Sequence, residues 1–223
     1  MNFDLTDDQK AIRNAFARFC DERIAPQAAA LDEAHAFPRE LFSQLAALGF
    51  FGIRYPESAG GTGLDLVTYC LALTEVARGS LSLAGCAAMQ SLMGTKFLHM
   101  LGNDDIIERL FKPALRGEKI GAICMTEPNA GSDLDALATS AKKVEGGYAL
   151  SGQKTWVTNA PVADFFTVFA RVGPAVQRVQ QLGHGQPRQA GPGFLRRGGF
   201  RAHLPRLLKV GAEVTQIFWP LIR

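Results

Sequence analysis

The hydrophobic period of this chain changes once, near residue 120, and that change limits the fold more than any other feature of the sequence. Before it, apolar residues recur three and four positions apart, the spacing of helices that bury one face. Thr6 and Gln9 have the spacing of a capping box, and Ile12, Phe16, Phe19 and Cys20 continue one stripe. An amphipathic helix is therefore expected to about Ala25, stopping ahead of Pro26. Pro38 suits a first helical position, Leu41, Leu45 and Leu48 share a face, and Gly49 supplies a left-handed stop. Two more helices are expected, over 65–78 closed by Gly79 and over 80–101 closed by Gly102. The run 81–101 is apolar nearly all round, which predicts burial on every side at the centre of a bundle. A membrane span is the competing reading, but Gln90, Lys96 and His99 interrupt the run and no cationic flank sets an orientation.

After residue 120 the apolar runs are short and bounded by turn residues. Strands are expected over 120–125 and 165–170, with 140–144 and 148–151 flanking Glu145-Gly-Gly147 as a hairpin. Helices first and strands second give an α+β fold class. Two segments of the strand half carry candidate chemistry, Cys124-Met-Thr-Glu-Pro-Asn-Ala-Gly-Ser-Asp133 and Gln153-Lys-Thr-Trp-Val-Thr-Asn-Ala160. Thr126 and Ser132 offer hydroxyls, residues 128–131 form a tight turn with free backbone N–H groups, and Trp156 offers a flat aromatic face. A redox ring system needs all three. Singly, each is ordinary, because such a turn is common loop chemistry and a lone tryptophan in a strand is usually core.

Taken as a pair and in this order, the two segments resemble the flavin-contacting stretches of the acyl-CoA dehydrogenase family. Tyr55-Pro-Glu-Ser-Ala-Gly-Gly-Thr-Gly-Leu-Asp65 resembles the family's glycine-rich link between early helices, and Arg109-Leu-Phe-Lys-Pro-Ala-Leu-Arg-Gly-Glu118 its helix end before the sheet. The resemblance covers about residues 1–172. It implies a helical N-terminal domain over 1–118 and part of a β-barrel domain over 119–172, with the family's C-terminal helical domain absent. It implies FAD as cofactor. Ile123, Cys124, Met125, Thr126, Gly131 and Ser132 would line its pyrimidine side, and Trp156, Val157 and Thr158 would lie against its ring, with Ser132 also facing the substrate.

The activity implied by the resemblance is α,β-desaturation of an acyl-CoA in fatty acid β-oxidation, with hydride transfer to FAD and an electron-transferring flavoprotein as acceptor. Family members are homo-oligomers. Their base is a carboxylate of the C-terminal helical domain, so no catalytic residue is expected here and turnover is expected to be impaired. Glu127 and Asp133 are read as turn and cap residues. Asn129 stands where the family commonly has glycine, and asparagine tolerates a left-handed backbone. Two alternatives stay open: a non-catalytic homologue or binding module, and a flavin monooxygenase or oxidase on the same scaffold.

Charge divides the chain a second time. Residues 1–173 hold 16 Lys plus Arg against 20 Asp plus Glu, net −4, whereas residues 174–223 hold 8 against 1, net +7, which together give the overall +3. The tail 173–223 is read either as a shifted reading frame, which would leave it without a packed structure, or as a basic arm for an acidic partner. The first reading implies no nucleic-acid partner. Cys20, Cys70, Cys86 and Cys124 lack metal-ligand spacing, and no signal peptide precedes them. Free buried thiols and a cytoplasmic location are expected. Gly60-Gly-Thr-Gly63 follows no apolar strand and is read as a turn rather than a phosphate cradle.

Overall fold

The computed structural model describes residues 4–145 and 147–172, together with the backbone of Gln216–Pro220. The chain divides into two compact units, Met1–Leu98 with Asp105–Ile120, and His99–Asp104 with Gly121–Arg223.

The first unit is helical. Helix α1 (Asp7–Phe19) opens on the expected capping box, with Gln9 N–H donating to Thr6 Oγ1 at 3.2 Å and Thr6 N–H donating to Gln9 Oε1 at 3.1 Å. Pro26 does not end the helical path as the sequence suggested. A π turn (Cys20–Ile24) widens the helix so that Ala25 N–H reaches back to Cys20 O, and α2 (Ala25–Glu33) follows with Pro26 in its first turn. The wide turn accommodates its ring, which a regular α-helix interior would not. Helix α3 (Arg39–Ala47) starts after Pro38 and stops at Gly49, which is left-handed at φ 79°. Leu41 and Leu45 are buried, but Leu48 is 43% exposed, so the buried face ends one turn early.

Helix α4 (Leu66–Gly79) is capped by Asp65, whose carboxylate accepts from Thr68 N–H at 2.7 Å. Gly79 is not a left-handed stop. A Cβ there would come within 2.8 Å of both Cys20 Sγ and Ile24 Cγ2, so glycine is needed for the close approach of α4 to the π turn. The glycine-rich turn before α4 is a turn in fact. The N–H groups of Gly61, Thr62 and Gly63 donate to the carbonyls of Pro56, Gly52 and Tyr55, leaving none of the three for a phosphate.

The run 81–101 departs from expectation. It forms α5 (Leu81–Ala88), a π turn (Met89–Gly94) and α6 (Lys96–Leu101), and its ends are open, with Leu81 78% and Met100 54% exposed. Its buried side carries polar groups. Tyr69 OH bonds Ser91 Oγ at 2.7 Å, Tyr55 OH bonds Thr95 Oγ1 at 2.8 Å, and Gln90 Nε2 donates to Ala114 O and Lys119 O. Among the described residues no helix is long and apolar enough to cross a membrane. Helix α7 (Asp104–Ile106), a π turn (Ile107–Phe111) and α8 (Lys112–Leu115) complete the unit's helical path. An aromatic cluster anchors its core, with Phe42 and Phe51 rings 4.5 Å apart and Phe50 against Phe16, Phe51 and Tyr69.

The second unit is built on strands. β1 (Gly121–Cys124) pairs in parallel with β4 (Phe165–Phe169), register Gly121↔Phe165 to Cys124↔Val168. Between them, β2 (Ser140–Val144) and β3 (Gly147–Ser151) form the expected antiparallel hairpin, closing at Val144↔Gly147. β5 (Arg171–Val172) adds in parallel to β2, and β6 (Gln216–Pro220) adds antiparallel to β4. The sheet orders are β1-β4-β6 and β3-β2-β5, and among the described residues they form no closed barrel. The chain is thus a helical domain followed by a partial sheet domain. Apart from β6, the basic tail lies outside the described residues, and both readings of it lie there too.

Candidate functional site

The segment after β1 turns back on itself by chemistry its residues supply. Glu127 and Ala130 exchange backbone bonds, Glu127 N–H to Ala130 O at 2.8 Å and Ala130 N–H to Glu127 O at 3.2 Å. The Pro128-Asn129 corner fits between them. Asn129 is not left-handed, so its tolerance of that region is not used. Asp133 Oδ1 accepts from Asp135 N–H at 3.0 Å, capping the short turn Leu134–Ala136 as expected.

Glu127 does more than shape its own turn. Its carboxylate is buried and accepts from Ala138 N–H at 2.7 Å and Thr139 N–H at 3.1 Å, fastening the start of β2 to the turn. It also pairs with Lys154 Nζ at 2.8 Å, the two side chains being 5% and 0% exposed. Burial would raise the Glu127 carboxyl, but the Lys154 ammonium and the N–H donors outweigh it and hold the acid below its ordinary range. Burial pushes the Lys154 ammonium down against the pull of Glu127. Lys154 Nζ also donates to Met125 O at 2.9 Å.

Lys154 therefore bridges both sequence motifs, and a backbone bond beside it does the same: Thr155 N–H donates to Thr126 O at 2.9 Å. Met125 and Thr126 on one side are fixed to Lys154 and Thr155 on the other. Trp156 comes next. It lies in a loop rather than a strand, has φ 56°, and is 90% exposed, so it is not the core residue that a lone tryptophan usually is. Asn159, also left-handed at φ 67°, turns the chain into the short 3-10 turn Ala160–Val162 ahead of β4.

The remaining predicted residues separate by side-chain environment. Ile123 and Cys124 are buried in β1, and Cys124 packs with Val168, Leu150, Val157 and Phe166. Burial pushes its thiol up to about 12 despite nearby Lys154. Met125, Thr126, Val157 and Thr158 are half-buried, and Gly131 and Ser132 are exposed. Of the other cysteines, Cys20 is buried and Cys86 partly so, but Cys70 is exposed, contrary to expectation. No His, Cys, Asp and Glu group among the described residues could hold a metal.

Lys154 lies inside the second motif, but its bridging role is missed by reasoning from the sequence. The signal was a lysine between a turn and a tryptophan, and its partner stands 27 positions earlier in the other motif.

Residues 6–118 match the model of the acyl-CoA dehydrogenase N-terminal domain, and residues 122–187 that of the acyl-CoA dehydrogenase middle domain. The chain is 76% identical over 173 residues to benzylmalonyl-CoA dehydrogenase of Aromatoleum aromaticum, covering 78% of this chain and 46% of that protein. It is 40% identical over 168 residues to a 3-(aryl)acrylate reductase of Clostridium sporogenes, covering 74% of this chain and 44% of that one. A Bacillus anthracis acyl-CoA dehydrogenase complexed with FAD superposes with a TM-score of 0.70 at 31% identity, covering 76% of this chain and 30% of that one. The chain spans about half the length of the curated relatives it matches. Two domain models in consecutive order, over the helical part and over the strands that hold the paired motifs, place the chain in the acyl-CoA dehydrogenase family.

Proposed function

We propose that this chain provides the helical domain (residues 1–118) and the flavin-contacting part of the β domain (from residue 119) of an FAD-dependent acyl-CoA dehydrogenase. The observation that carries this reading is Trp156. A tryptophan that is 90% exposed and held left-handed buries almost nothing of its own chain, which fits a ring awaiting a flat partner. Met125, Thr126, Val157 and Thr158 are half-buried and would line the approach, where Thr126 and Thr158 would offer hydroxyls to ring heteroatoms. Bound FAD would supply the electron sink for hydride from the β carbon. Trp156 would cover the ring against water, and exposed Ser132 would face the thioester.

No acid of the site is assigned as the base. The Glu127 carboxylate is committed to Lys154, Ala138 and Thr139 and is held ionised among them. Asp133 caps a turn. The proton from the α carbon is taken by a group outside these segments, and electrons pass to an electron-transferring flavoprotein. The substrate class is an aryl-substituted acyl-CoA, supported by the similarity to enzymes named for benzylmalonyl-CoA and 3-(aryl)acrylate.

The test is to purify the chain, titrate it with FAD, and then add benzylmalonyl-CoA under anaerobic conditions. FAD is expected to be retained and its visible band to shift on adding the thioester, without bleaching. No retention of FAD would overturn the site, and bleaching would overturn the exclusion of Glu127 and Asp133.

A further inference from the structure

We infer that the buried Glu127–Lys154 pair is a positioning device for the proposed flavin site, setting the placement of Thr126 and Trp156 rather than only stabilising the fold. The inference rests on the flavin-site reading above. Lys154 carries two bonds into the opposite motif, to Glu127 Oε1 at 2.8 Å and to Met125 O at 2.9 Å. These flank Thr126, whose own carbonyl accepts from Thr155 N–H at 2.9 Å. Three consecutive residues of one motif are thereby locked to two consecutive residues of the other, immediately before Trp156. On its far side, Glu127 holds Ala138 and Thr139, so the pair is referenced to the start of β2 and not to a free loop.

A buried ion pair is weak grounds for stability, because desolvating both charges offsets most of their attraction. Its geometry here offers something that apolar packing would not: directional bonds at fixed points of two segments. A long cation on an otherwise turn-forming segment is the residue type that can reach a backbone carbonyl and a carboxylate together.

The experiment compares the full chain with Lys154→Met, Glu127→Gln and the double variant. Removing one partner strands a buried charge and puts the fold at risk, whereas removing both does not. The double variant therefore separates positioning from charge burial. Two readouts are made, amide hydrogen exchange without flavin and FAD affinity by titration. In the double variant, protection at Thr155 is expected to fall while the β2–β3 hairpin amides keep theirs, and FAD affinity is expected to drop by about tenfold or more. Uniform loss of protection across both regions would make the pair merely structural and overturn the inference. So would unchanged protection at Thr155 with unchanged FAD affinity. If the unaltered chain bound no FAD while the double variant still lost Thr155 protection selectively, the flavin reading would fall and the pair would stand only as a brace between motifs.

Discussion

Trp156 holds a backbone conformation that costs an L-residue about 1–2 kcal/mol relative to the right-handed region, and its ring, 90% exposed, gains little packing within the chain. Strain without an internal return marks a position shaped for a ligand. Trp156→Asn, which accepts the left-handed region more readily, is expected to leave stability unchanged or raise it by up to about 1 kcal/mol, while weakening FAD binding. Urea denaturation and FAD titration check the two halves, and a clear loss of stability would mean the indole packs after all. Glu127 gives a second residue-scale expectation. Its folded-state acid is stronger than in the unfolded chain, so its contribution is present above the ordinary glutamate range and is lost as pH falls through the lowered folded value. Denaturation midpoints followed downward through the acid range should fall more steeply for the native chain than for the Glu127→Gln, Lys154→Met double variant. Parallel curves would refute the assignment. Of these features, the sequence disclosed the residue types and the turn chemistry of Glu127 and Asp133. It did not disclose that Trp156 is exposed or that Lys154 is buried, because both depend on where two segments distant in sequence meet.

Helices and strands with local causes were legible. The Thr6 box and the Glu145-Gly-Gly147 hairpin each depend on residues a few positions apart and stand where expected, while Pro38 and Asp65 each come one residue before the helix they were expected to begin. What local signals did not disclose has a tertiary cause. In sequence Pro26 reads as a stop, but a π turn carries the helix past it. Gly79 does end α4, as expected, but by a second, tertiary cause its missing Cβ also lets α4 pack on that same π turn. The two features share one origin, since Cys20 and Ile24 of the π turn are the residues Gly79 approaches. Gly79→Ala tests this directly. Helix propensity alone favours alanine by about 1 kcal/mol, whereas overpacking against Cys20 and Ile24 costs about 1–3 kcal/mol. A net loss of about 1–2 kcal/mol is expected in urea unfolding. A gain would show that the helix and the π turn separate at little cost.

At the level of the whole molecule, the order of helices then strands, and the resemblance carried by the paired motifs, gave the fold class and the family. What the sequence withheld was strand pairing. Neither the parallel union of β1 with β4 nor that of β2 with β5 has a local signature, and both join segments far apart along the chain. The β1–β4 union also fixes the order of events during folding. Closing it brings Gly121 beside Phe165 across the whole stretch that holds both motifs, whereas only two residues separate β2 from β3. Short hairpins form in about 1–10 μs, while distant pairings must first overcome the entropy of a long loop. The hairpin is therefore expected to form before the ends of its own loop meet, and on the proposed reading a flavin would find no platform on the nascent chain until the last, least local contact of this segment is made.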